Sequence, residues 1–144
     1  MRWGQITWIF LHTLSMKIIP EQYPLLKDSL FVLFLSICKA LPCPECSDHA
    51  MAYMKKKTAP ETLEQFRWFL WDFHNAVNVN TKKEKVPLDV LEKYNNTNLT
   101  LAFQFMHQIW LNQPYNPNLI HKQFLIKQTL QNLRTWLLHH RLIT

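Results

Sequence analysis

A chain of 144 residues, 48% of them hydrophobic and including nine Phe, six Trp and four Tyr, has enough apolar surface to bury the core of one domain. The net charge of +6 comes partly from two short lysine runs, Lys55 to Lys57 and Lys82, Lys83 and Lys85, so a bound phosphate is as natural a partner as nucleic acid, and no nucleic-acid partner is expected. A single glycine excludes both the Gly-rich dinucleotide turn and the phosphate-binding loop, so side chains must hold any nucleotide.

The longest apolar run, 30–35, is far short of the ~20 residues that span a bilayer. The N-terminus lacks the basic and apolar segments of a secretory signal. The expectation is a cytoplasmic protein without a membrane partner, whose Asn95 and Asn98 sequons carry no sugar. Cys38, Cys43 and Cys46 are too few and too close in sequence for a structural disulfide framework.

Helical periodicity dominates. Trp3, Ile6, Phe10, Leu11 and Leu14 predict a first helix over 4–18, ended near Pro20. The very apolar stretch 25–41 predicts a second and most buried helix. A third spans 43–57, with Pro44 tolerated in a first turn where its missing N–H has no partner to lose. After a break at 58–61, Phe66, Phe69, Leu70, Phe73 and Val77 mark the apolar face of a fourth helix that runs to about Asn80. A short fifth helix runs from Leu88 to about Tyr94.

These elements predict an all-α fold, a four-helix bundle plus a short fifth helix over 1–96. Beyond a break at 95–98, helical segments at 99–111 and 117–141, separated by 113–117, form an extension over 97–144 that is expected to cap the bundle.

Cys43 and Cys46 form a CxxC pair at the start of the third helix. Unpaired N–H groups and the macrodipole favour an anion there, which activates a cysteine for thiol–disulfide exchange. The alternative is a zinc-stabilised interaction module using Cys43, Cys46 and His49, with Cys38 or a distant His as fourth ligand, but no second CxxC or HxxxH completes it. A thioredoxin-type exchanger needs strands, and none is predicted. The remaining possibility is a CxxC that works against a bound redox cofactor. Trp8 and His12 share a face of the first helix. His74 and Asn78 share a face of the fourth, beside Asn75, with Lys82 and Lys83 just past its end. A buried helix rarely carries three polar residues in five without partners for them.

Trp3-Gly4-x3-Trp8-x2-Leu11-His12-Thr13, Tyr23-Pro24, Pro42-Cys43-Pro44-Glu45-Cys46 and Phe73-His74-Asn75-Ala76-Val77-Asn78 resemble, in order and spacing, the signatures of the Erv/ALR family of FAD-linked sulfhydryl oxidases. The resemblance implies a helical bundle holding FAD, with Cys46 next to the flavin and Cys43 exchanging with a dithiol protein or a thioredoxin-like carrier. Molecular oxygen would be the final acceptor. Gly4, Trp8, His12, Lys39, His74, Asn75, Val77, Asn78 and Lys83 occupy positions of FAD contact, and Tyr94 resembles an aromatic near the adenine. The family also implies a homodimer through the first two helices, whose apolar surface exceeds what one small bundle covers. Gln5 departs from the family's usual Arg, and the second structural disulfide and any shuttle CxxC are absent from the chain. That short form is similar to the oxidases of large DNA viruses. Cys38 has no counterpart in the motifs and reads as a small buried hydrophobe.

Overall fold

The computed structural model describes residues 2–114 and 116–144; Tyr115, inside the predicted break 113–117, and Met1 lie outside the described residues. Helix α1 spans Trp3–Lys17, α2 Tyr23–Lys39, α3 Pro44–Met54, α4 Leu63–Asn80, α5 Leu99–Leu111 and α6 Ile120–His139. The segment Leu88–Asn96 is a 3₁₀ helix and Pro117–Leu119 a 3₁₀ turn. Among the described residues there is no strand, and the all-α expectation holds.

Local chemistry sets the ends. Cys43 caps α3 with its sulfur, Thr62 caps α4 through Oγ1 to the Gln65 N–H, and Asn98 caps α5 through Oδ1 to the Leu101 N–H. α4 stops where Lys82 takes a left-handed φ of 59°, with the Lys83 N–H returning to the Asn78 carbonyl at 2.7 Å. This reversal sends 83–87 back along α4.

Several boundaries and one helix type differ from expectation, the second helix lying two residues earlier at each end. The third helix ends at Met54 rather than 57, because Lys56 is left-handed with a φ of 68°. The fifth helix is 3₁₀ rather than α, a short connector geometry that suits a segment opened by Pro87. The last helix begins at Ile120, three residues after the position expected, behind the turn opened by Pro117.

One apolar core runs through 1–96 and 97–144 alike: Phe10, Leu14, Phe34 and Leu70 belong to the same cluster as Phe103, Met106, Trp110 and Leu133. α5 lies along α1, with Phe10 and Phe103 rings 5.9 Å apart and Trp3 edge-on to Trp110 at 6.5 Å. Trp110 is 1% exposed, and its Nε1–H donates to the Thr7 hydroxyl at 2.8 Å. α6 lies against α2 and α5, and the Trp136 indole donates to Ser29 of α2 at 2.9 Å. Each large apolar side chain so buried contributes roughly 1.5–3 kcal/mol. The apolar excess of α1, part of the basis for expecting a homodimer, is therefore covered from within the chain, whereas α2 leaves Leu25 and Val32, two turns apart, exposed. No described helix is long and apolar enough to cross a membrane.

Candidate functional site

Two places gather the chemistry-bearing residues. The first is the corner between α2 and α3. Cys43, in extended conformation as N-cap, and Cys46, in the first turn, form a disulfide with a Cα–Cα distance of 5.1 Å. Both are half-buried. The Cys46 backbone N–H donates to Cys43 Sγ at 3.2 Å, so a helix-terminal donor faces the sulfur that would carry negative charge after reduction. The two sulfurs are bonded to each other and His49 is exposed. Among the described residues no group of three His, Cys, Asp or Glu side chains could hold a metal, which leaves the zinc module without a site. Cys38 is 2% exposed and free, and burial pushes its thiol pKa up to about 12, as suits an inert core residue.

The second place is a seam between α1, α4 and the 3₁₀ helix. Trp8 stacks on His74 at 4.1 Å with an interplanar angle of 9°. His12 Nε2 and His74 Nδ1 are 3.0 Å apart and hydrogen-bonded, and the Tyr94 ring stacks on His12 at 5.1 Å. Phe73 stands edge-on to Trp8 at 5.4 Å and meets Tyr53 of α3 at 5.0 Å, so the aromatic contacts continue toward the cysteine-bearing helix. His12 is fully buried, and its pKa falls to about 3, first through desolvation and then through the charges of His74 and Lys93. His74 falls to about 4, through desolvation and then Lys83 and Lys93. Both imidazoles are neutral at physiological pH.

Of the predicted cofactor-binding residues, the seam unites Trp8, His12, His74 and Tyr94, with Lys83 close enough to bias His74. Asn75 and Asn78 are engaged within the protein. Asn75 accepts from the Val86 N–H at 2.8 Å and donates to the Val86 carbonyl at 3.1 Å, while Asn78 donates to the Glu84 carbonyl at 3.1 Å. They pin the returning loop to α4, and they account for two of the polar residues that the sequence left without partners. Val77 is half-buried, packed against the core. Gly4 lies in the first turn of α1 with open space where a Cβ would project, so crowding within the protein does not demand the glycine. Lys39 lies away from the seam, at the cysteine corner.

A cleft of about 510 Å³ between α3, α4 and the returning loop is lined by Tyr53, Trp71, Asn75 and Lys85 among others, and shares only Asn75 with the predicted set. One residue at the seam lies outside the predicted set and its motifs, Lys93, whose ammonium lies 5.3 Å from the Tyr94 ring centroid. The one sequence signal for Lys93 is that it adjoins Tyr94.

The donor set fits a flavin dinucleotide. Two buried polar atoms among the described residues have no partner, His12 Nδ1 on a ring of the seam and Oγ1 of Thr13, the next residue of α1; a polar ring edge bound at the seam would satisfy the first. Planar side chains suit flat heterocycles, and Lys83 and Lys93 supply positive charge for phosphates.

An all-helical domain with a CxxC at a helix start and a buried aromatic and histidine seam is a thiol-exchange architecture whose seam supplies side chains suited to a cofactor. Residues 5–97 match the Erv1 / Alr family, and the chain belongs to it. It is 31% identical over 99 residues to a protein of Invertebrate iridescent virus 6 named a putative FAD-linked sulfhydryl oxidase 347L, a match covering 63% of this chain and 89% of that one. It is 30% identical over 87 residues to the FAD-linked sulfhydryl oxidase ERV1 of Arabidopsis thaliana, covering 60% of this chain and 46% of the plant protein. No solved structure matches the chain significantly.

Proposed function

We propose that this protein is an FAD-dependent thiol oxidase that forms disulfides in dithiol substrates and delivers the electrons to oxygen, yielding hydrogen peroxide. The observation that carries the reading is the Cys43–Cys46 disulfide at the N-terminus of α3 within a family-matched bundle whose ring seam suits a flavin.

A substrate thiolate attacks Cys43 Sγ, forming a mixed disulfide and releasing Cys46 as thiolate. The second substrate thiol then attacks the substrate sulfur of that mixed disulfide. Cys43 leaves, the substrate departs oxidised, and both protein thiols are reduced. The Cys46 N–H facing Cys43 stabilises the charge that Cys43 takes up when it leaves in this second step. Bound FAD supplies the two-electron acceptor that regenerates the disulfide and reacts with oxygen. Trp8, His12, His74 and Tyr94 would hold its rings, and Lys83 its phosphates, with His12 kept neutral as a hydrogen-bonding partner rather than a charge. Gly4, Lys39, Asn75, Val77 and Asn78 act in the same site by their match to the family motifs, Lys39 from the cysteine corner.

Substrates are dithiol proteins or a thioredoxin-like carrier, since half-buried sulfurs admit a macromolecular thiol. A homodimer would need surface other than that now lying under α5 and α6. Purified protein should be yellow with flavin absorbance, and should consume one oxygen per dithiothreitol oxidised. Colourless, inactive protein after reconstitution with FAD would overturn the assignment.

A further inference from the structure

The C-terminal extension reaches the cysteine corner through one side chain. Lys122, in the first turn of α6, sends its Nζ to the carbonyl oxygen of Lys39 at 2.8 Å and to the hydroxyl oxygen of Ser47 at 2.8 Å. Lys39 is the last residue of α2, and Ser47 directly follows Cys46 in α3. The Ser47 hydroxyl shares its proton between the carbonyls of Lys39 at 3.1 Å and Leu41 at 3.3 Å, and the Ser47 N–H donates to the Cys43 carbonyl at 2.9 Å. One ammonium group thus ties together the end of α2, the connection that follows it, and the first turn of α3.

The arrangement has an electrostatic side. Carbonyls at a helix C-terminus carry partial negative charge that a cation complements. Ser47 is 5% exposed and Lys122 half-buried, so the contact to Ser47 is partly sheltered while that to Lys39 is open to water, and burial draws the Lys122 pKa down, opposed by Asp48. Ser47 Oγ and Cys46 Sγ hang from adjacent Cα atoms about 3.8 Å apart, which keeps the ammonium within about 12 Å of the Cys46 sulfur. That is close to one screening length at ordinary salt. Lys122 also lies outside the 5–97 family match, so the contact belongs to this chain's own extension.

We propose that Lys122 is a positioning residue of the redox site, fixing through Ser47 the turn that presents Cys43 and favouring the reduced, thiolate-bearing form of the Cys43–Cys46 pair. The inference rests on reading that pair as the redox centre. The test is an equilibrium between holoenzyme and glutathione buffers with oxygen excluded. Two glutathione thiols reduce the disulfide, giving two protein thiols and one glutathione disulfide, and alkylation followed by mass measurement counts the protein thiols. Lys122→Met should shift this equilibrium toward the protein disulfide by about three- to tenfold, a tenfold change being 29.6 mV. Lys122→Arg, which keeps the charge and the donors, should stay near wild type. Ser47→Ala should give a smaller shift in the same direction. A wild-type equilibrium in Lys122→Met overturns the proposal whatever its melting temperature, because a purely structural strap would move only the latter. Should Lys122→Met fail to fold, a wild-type equilibrium in Ser47→Ala overturns it instead. Loss of the oxidase reading would show separately, as wild-type protein that equilibrates with glutathione yet consumes no oxygen.

Discussion

The α2–α3 corner and the α1–α4 seam hold the two halves of the proposed chemistry in opposite environments. At the corner the disulfide is half-buried, set at a helix N-terminus and open to another protein's thiol. At the seam His12 is fully buried, its ring wedged among Trp8, His74 and Tyr94, and the imidazoles are driven to neutrality. Exchange requires access to the attacked sulfur, whereas holding a flat cofactor requires rings fixed in advance and kept dry. The contrast teaches that damage at the corner should abolish turnover and leave the fold, while damage at the seam should cost stability and cofactor together.

The sharpest break is at the corner. Cys43→Ser and Cys46→Ser should each reduce dithiol oxidation to the level seen without enzyme while retaining bound flavin, checked by oxygen uptake and absorbance. Full activity in either would dissolve the distinction between the two regions. Next in size is removal of FAD. A ligand that binds only the native state adds about 3–4 kcal/mol when present at a few hundred to a thousand times its Kd, so the apoprotein should melt clearly lower. His74→Ala should lose part of that difference, read as weaker flavin retention; unchanged affinity would remove the seam from the site.

A third prediction concerns acid. Each seam histidine has a folded pKa below its unfolded value near 6.5, about 3 for His12 and about 4 for His74. Below pH 6.5 the unfolded chain therefore binds more protons than the folded one, and stability falls as the pH falls. For His12, fully buried, the loss from pH 6.5 to 5 should approach about 2 kcal/mol, at about 1.4 kcal/mol per pKa unit. Denaturant melts at pH 5 and 7.5 measure it, and His12→Asn should flatten the dependence. The smallest effect is expected at Cys38, which joins neither region chemically. Cys38→Ala should keep its turnover and lose at most ~1 kcal/mol. A collapse of activity there would make it a third redox centre.

Much was legible along the chain because its determinants are local. The CxxC lies at a helix start, where four consecutive residues and one proline specify both the turn and its chemistry, and the apolar spacing of α1, α2 and α4 located those helices within a few residues. Asn75 and Asn78 were visible as polar residues needing partners, but the partners, Val86 and Glu84, depend on a left-handed Lys82 that no local pattern announces. Lys39 joins the cofactor set by motif position, and only the fold shows that its carbonyl receives Ser47 and Lys122 beside the cysteines.

By itself the sequence determined an all-helical chain, a cysteine pair at a helix N-terminus and a need to grip any nucleotide by side chains, because periodicity, capping and glycine count act over a few residues. Only the tertiary structure decided that His12, separated by 62 positions from His74, would share a hydrogen bond with it. It also decided that α5 would cover α1 and α6 pack against α2, and that Lys122 would reach Ser47 across 75 positions. Those pairings depend on how six helices divide one apolar core, and that division is settled by burial summed over the whole chain rather than by any segment of it.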